Sequence, residues 1–148
     1  MPDLLRHATG AWYGDLRSGH GSASTESGAL KEARVSFDTR FDTTPGSNPE
    51  ELLAAAHASC FSMALSAGLG RMGFTPTEIK TTATLTLHKG EQGFKITKIH
   101  LDTEGKVPGA SDAQFQEAAE GAKKGCPVST LLAPGLEEIT LSAKLAKG

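Results

Sequence analysis

The reactive atoms in this 148-residue chain are two sulfurs, those of Cys60 and Cys126. An unperturbed thiol has a pKa of ~8.5, so at neutral pH it is mostly protonated and a poor nucleophile. Burial makes matters worse unless a cation compensates. The two cysteines lie 66 residues apart and form no Cys-x-x-Cys pair, which argues against a zinc ribbon or a thioredoxin motif. In a reducing compartment an even number of cysteines does not imply a structural bridge. Cys126 precedes Pro127 and follows Lys123 and Lys124; the start of a helix and nearby cations both favour a thiolate. Cys60 has no cation near it in sequence. Only an imported side chain such as Arg40, or His57 three residues earlier on the same helical face, can serve it. Two interpretations of Cys60 stand side by side: a small core hydrophobe, as most buried free cysteines are, and a nucleophile in an apolar pocket. A cysteine hydrolase is the weakest option, because no clear Cys–His–Asp order is present. The five histidines, at 7, 20, 57, 88 and 100, show no i, i+4 pairing, so neither a metal site nor a cofactor is expected.

Cys60 must be positioned by the stretch Ser47 to Arg71, which reads as one long helix. Asn48 is a good N-cap, Pro49 suits the first helical position, and Glu51 stands at the capping-box spacing. Glu50 and Glu51 also complement the positive end of the helix dipole. From Leu52 to Leu69 there is no Asp, Glu, Lys or Arg. A helix apolar on every side is a buried one. These 18 uncharged residues approach the length of a membrane span, but His57, Ser59, Ser62, Ser66 and the glycines at 68 and 70 favour a core helix of a soluble protein with close backbone contacts. One small sheet cannot wrap such a helix, so an obligate symmetric homodimer with this helix at its centre is expected.

Around the helix, residues 11–27 predict two short strands with Gly19 and Gly21 punctuating the turn. Arg34 to Phe41 alternates as a third strand, Val35, Phe37, Thr39 and Phe41 on one face and Arg40 on the other. The long helix should end near Met72-Gly73. Ile79 to His88 and Phe94 to Thr103 predict a hairpin around Lys89–Gly93, with a bulge where the apolar set shifts from Phe94/Ile96 to Ile99/Leu101. Ser111 with Gln114 marks a second helix, which Gly125 can end. Cys126-Pro127 opens a short one through Leu132, and Ile139 to Leu145 is a last strand. The fold class is α+β, one domain over 1–148, with mainly antiparallel sheets packed on the buried helix. A net charge of −2 and a pI of about 6.2 give no electrostatic argument for nucleic acid. The N-terminus has no secretory pattern, so the cytoplasm is the expected location, without a membrane partner.

Six segments carry a resemblance. Ala11-Trp-Tyr-Gly-Asp15, Ser24-Thr-Glu-Ser-Gly28, Phe37-Asp-Thr-Arg-Phe41, Asn48-Pro-Glu-Glu-Leu52, Ala56-His-Ala-Ser-Cys60-Phe-Ser-Met-Ala-Leu65 and Gly125-Cys-Pro-Val-Ser129 together resemble the OsmC/Ohr family of thiol-dependent peroxidases. The first three are more similar to its OsmC branch. The resemblance spans essentially the whole chain. It implies an intertwined α+β homodimer with sites at the subunit interface, reduction of organic hydroperoxides, and regeneration by a dithiol, a lipoylated protein being one candidate donor. By position it implies that Cys60 is the peroxidatic and Cys126 the resolving cysteine, with Arg40 and Glu50 as the charged pair beside the reactive sulfur; Arg34 and Arg17 are the alternatives to Arg40. Leu53, Phe61, Met63 and Ala64 would then give Cys60 an apolar surround that favours alkyl or acyl peroxides over hydrogen peroxide. Glu50 and Cys60 are ten residues apart, about 15 Å along one helix, so Glu50 is expected to serve the site of the other subunit. The competing function is a non-catalytic binder of a lipid-like ligand, with the cysteines incidental.

Overall fold

The computed structural model of the protein describes residues 1–147. The chain divides into two compact units, the first Met1–Leu52 and the second from Leu53 onward.

In the first unit, β1 (Ala8–Tyr13), β2 (His20–Thr25) and β3 (Ala33–Val35) form an antiparallel sheet in the order β1-β2-β3. The turn between β1 and β2 ends at Gly19. Gly21 lies inside β2, contrary to the sequence expectation, because the partner strand comes too close for a side chain: a Cβ there would collide with the Ala11 carbonyl and the Trp12 ring.

The expected third strand over Arg34–Phe41 is also corrected. The strand stops at Val35, and a short helix, α1 (Phe37–Phe41), follows. Ser36 is its N-cap. The Thr39 amide donates to Ser36 Oγ at 3.2 Å, and the Ser36 amide donates to Thr39 Oγ1 at 2.8 Å. This reciprocal capping satisfies two amides that a strand would have needed a neighbour to satisfy. α2 (Pro49–Arg71) starts in the first unit. Asn48 caps it as expected, accepting from the Glu51 amide at 2.7 Å.

In the second unit, α2 continues through Arg71 and ends ahead of Gly73, whose φ of +91° suits the left-handed stop. β4 (Glu78–Gly90) and β5 (Gly93–Lys106) make the hairpin. Its register slips between Thr86 and Leu87, which pair with Lys98 and Ile96; Thr97 is the extra residue, at the point where the apolar pattern changes phase. α3 (Asp112–Gly125) has the Ser111/Gln114 capping box. α4 (Pro127–Leu132) and a 3-10 turn at Ala133–Gly135 lead to β6 (Glu138–Leu145).

β6 pairs with β5 in parallel, while the other three strand pairings are antiparallel, so the sheets are mainly antiparallel as expected. A strand returning through a 14-residue helix has the length to cross over and run parallel, whereas a tight hairpin does not.

The core of this unit joins Phe61, Leu65 and Leu69 of α2 with Ile99, Leu101, Phe115, Ala119 and Cys126. Phe115 presses on β5 so closely that a Cβ at Gly105 would meet its ring at 2.5 Å. Each of the large apolar side chains here contributes about 1.5–3 kcal/mol by burial. Within one chain α2 is buried along a single stripe, His57, Phe61, Leu65 and Leu69. Ala55, Ala56, Ser59, Met63 and Ala67 on its other side are exposed, Met63 to 76%. The uncharged circumference read from the sequence is therefore only partly covered by the chain itself. α2 is also long and apolar enough, by length and composition, to cross a membrane.

Candidate active site

The first unit prepares a charged pair. Arg40 stands in the last turn of α1 and Glu50 in the first turn of α2. Arg40 Nε donates to Glu50 Oε1 and Oε2 at 3.1 and 3.2 Å, and Nη2 donates to Oε1 at 2.6 Å. Two nitrogens engage the carboxylate at once, the forked geometry that orients a guanidinium as well as neutralising it. The Glu50 side chain is 12% exposed and that of Arg40 36%, so the carboxylate is the buried anchor and the arginine keeps an open edge.

Local hydrogen bonds hold the pair. Thr39 Oγ1 donates to the Ser47 carbonyl at 2.8 Å, and Asn48 Nδ2 donates to the Thr39 carbonyl at 3.2 Å, tying α1 to the start of α2. Gly46 leaves room for this: a Cβ there would meet Thr39 Cγ2 at 2.5 Å. The alternative arginines are occupied differently. Arg17 lies over the Phe37 ring at 5.0 Å, and Arg34 is an exposed residue of β3.

The second unit brings the sulfurs together. Cys60 Sγ of α2 and Cys126 Sγ, the N-cap position of α4, are 3.0 Å apart, both as free thiols in hydrogen-bond contact. Cys126 has no exposed surface, whereas Cys60 is half-buried; a reagent from solvent meets Cys60 first. The apolar neighbours divide. Met63 is open and Leu53 and Ala64 are half-buried, but Phe61 faces the core. Phe61 is thus corrected from a pocket residue to a packing residue, because it lies on the same stripe as Leu65 and Leu69.

The surroundings push the two thiols in opposite directions. The Cys60 thiol is pushed up by burial and by Cys126 beside it, with only the Val128 amide acting the other way. Burial also works to raise Cys126, but hydrogen bonds from Cys60, from the amide and hydroxyl of Ser129 and from the Val128 amide outweigh it and bring that thiol below its ordinary value. Of the two, Cys126 is therefore the more readily ionised, the sulfur with more donors.

Behind Cys126 lies a residue that the sequence does not reveal. Ser129, 2% exposed, meets His57 Nε2 at 2.6 Å. His57 is fully buried, and burial lowers its pKa. His57 is a buried histidine with a partner, the commoner of its two readings: its hydrogen bond goes to Ser129, on the Cys126 side. His57 and Ser129 are 72 residues apart, too far for any local pattern to link them.

The sequence profile of the OsmC-like proteins matches residues 41–140. The chain belongs to that family. It is 52% identical over 134 residues to the peroxiredoxin OsmC of Escherichia coli strain K12, a match covering 90% of this chain and 92% of the relative. The same figures hold for the peroxiredoxin OsmC of Shigella flexneri. Among solved structures, an OsmC-like protein from Mycoplasma pneumoniae superposes with a TM-score of 0.76 at 18% identity, over 99% of this chain and 100% of that one. The organic hydroperoxide resistance protein OhrB of Bacillus subtilis does so with a TM-score of 0.68 at 24% identity, over 95% and 98%. At these identities the structural likeness speaks for the fold: an α+β arrangement of small antiparallel and mixed sheets with a long helix, as the family's members have.

Proposed function

We propose that this chain is a thiol-dependent peroxidase that reduces organic hydroperoxides to alcohols through Cys60 and Cys126. The observation that carries this function is the 3.0 Å approach of two free thiols of which Cys60 alone has exposed surface. A redox enzyme of the peroxidase kind is also what the OsmC relatives support.

The Cys60 sulfur attacks the terminal oxygen of the peroxide, the O–O bond breaks, and the alkoxide leaves as the alcohol after taking a proton. Cys60 is then a sulfenic acid. Cys126, already in contact, condenses with it to a disulfide and so protects it from further oxidation. A dithiol, with a lipoylated protein as one source, restores both thiols by exchange.

Cys60 needs a cation, since burial opposes its ionisation. We assign this task to Arg40, held by Glu50, acting on the sulfur before attack and on the departing oxygen during it. The ten-residue separation of Glu50 and Cys60 along α2 leads us to assign each Arg40–Glu50 pair to the Cys60 of a second subunit in a symmetric homodimer. The exposed Met63 stripe of α2 supports such pairing. The expected compartment is the cytoplasm, where the dithiol stays reduced.

The test is steady-state consumption of cumene hydroperoxide and of hydrogen peroxide, with dithiothreitol or a lipoylated protein as donor. Organic hydroperoxide should be consumed faster, and Cys60→Ser should abolish consumption. A lipid-binding protein with incidental cysteines would consume neither. Mixing Cys60→Ser subunits with Glu50→Gln subunits should regain activity if the pair serves the second subunit, and should not if it serves its own.

A further inference from the structure

Ser129 has one proton to give. Its hydroxyl lies on the Cys126 side, where it favours the thiolate of that residue, and meets His57 Nε2 at 2.6 Å. If the hydroxyl donates to the sulfur, its oxygen must accept from His57, which fixes His57 as the tautomer protonated on Nε2. His57 Nδ1 is then a bare lone pair, and it is indeed buried without a hydrogen-bond partner among the described residues. An unpaired buried polar atom is destabilising. Nothing at Nδ1 offsets that cost; the polar gain of this core histidine lies wholly at Nε2, on Ser129. The result is a directed line, His57 to Ser129 to Cys126, built from α2 and α4 inside the second unit.

We propose that His57 and Ser129 are positioning residues for the resolving half of the reaction: Ser129 holds Cys126 Sγ against Cys60, and His57 dictates the direction in which the Ser129 hydroxyl donates. The proposal rests on the peroxidase function above and assigns these two residues to its second step. In that step the Cys126 thiolate attacks the sulfenic sulfur of Cys60. An S–S bond forms, the S–O bond breaks, and its electron pair leaves on hydroxide, which takes a proton from solvent to become water. The Cys126 sulfur is oxidised and the Cys60 sulfur reduced, the oxidising equivalent having come from the organic hydroperoxide. The line ends on Cys126 and not on Cys60, so it bears on the attacking sulfur of this step and leaves the first step to other groups.

The two steps separate in time. Reduced protein is mixed rapidly with one equivalent of cumene hydroperoxide and quenched at intervals. Sulfenic acid is trapped with dimedone, and disulfide is read by mass. Ser129→Ala and His57→Leu should slow disulfide formation at least about tenfold, the scale of one hydrogen bond to a charged group, and leave sulfenic acid formation within about twofold. In a parallel run with excess hydroperoxide and no dimedone, sulfinic acid at Cys60 should accumulate in both. His57→Gln, which keeps an N–H donor near the Nε2 position, should recover much of the disulfide rate, as a merely space-filling role would not allow.

Ser129→Ala removes a single oxygen and carries the test alone if His57→Leu does not fold. An unchanged disulfide rate in folded Ser129→Ala, or equal slowing of both steps, would overturn the proposal. If the unaltered protein forms no disulfide with the hydroperoxide, the peroxidase function fails first and the line loses its purpose with it.

Discussion

The proposed site draws on two pairs, and they are built by opposite means. Arg40–Glu50 is assembled from residues close in sequence and held by hydrogen bonds: the Ser36–Thr39 cap, the Thr39–Ser47 and Asn48–Thr39 contacts, and the space that Gly46 leaves. Cys60–Cys126 joins residues 66 positions apart and is held by an apolar core, with Phe61, Leu65 and Phe115 around it. The ion pair keeps an open edge, while the dithiol exposes one sulfur only. A charge that must act on a substrate benefits from rigid, partly hydrated support; a sulfur that must condense with another benefits from a dry, fixed approach. Damage to the two pairs should accordingly look different.

The largest effect is expected from breaking the core support. Phe115→Ala should destabilise the protein by about 3–5 kcal/mol, and peroxide-dependent disulfide formation should fail along with folding; denaturant unfolding measures this. A loss below about 1 kcal/mol would mean that the core around Cys126 is looser than the contacts at Phe115 suggest. The reverse profile is expected at the ion pair. Arg40→Met should lower the rate of peroxide consumption about a hundredfold, the scale of one lost electrostatic group in a reaction centre. Its cost in stability should be only about 1 kcal/mol, because the arginine is more than a third exposed. Equal damage to folding and activity would erase the distinction between the two pairs.

How far each pair could be read in the sequence follows the same division. The caps of α2 and α3, the hairpin and its bulge are local patterns, and Asn48/Glu51 and Ser111/Gln114 announce them. α1 escaped notice although Ser36-x-x-Thr39 is a capping box, because five helical residues are too few to show a helical period, and Val35 to Phe41 happens to alternate like a strand. The direction of β6 was not legible, since parallel and antiparallel strands alternate alike. Cys60 and Cys126 stood out by residue type, and their contact came only with the family resemblance. Which thiol ionises more readily, and the contact of Ser129 with His57, depend on how α4 packs against α2 and leave no mark on either segment alone.

A smaller effect sharpens the picture on the dithiol side. Burial depresses the His57 pKa in the folded state below its value of ~6.5 in the unfolded chain. The unfolded state therefore binds the proton more readily. The stability tied to neutral His57 is fully present above about pH 6.5 and is lost as the pH falls from there toward the folded-state value. Thermal unfolding of the reduced protein across that interval should show this loss, and His57→Gln should flatten it. A stability rising on acidification in the same range would contradict the neutral, buried imidazole.

The most direct test is a count of thiols. Reduced protein treated with one equivalent of cumene hydroperoxide should lose two free thiols per chain, and peptide mapping should find Cys60 joined to Cys126. Loss of none, or of Cys60 alone with no disulfide formed, would contradict the central claim that these two sulfurs act as a redox pair.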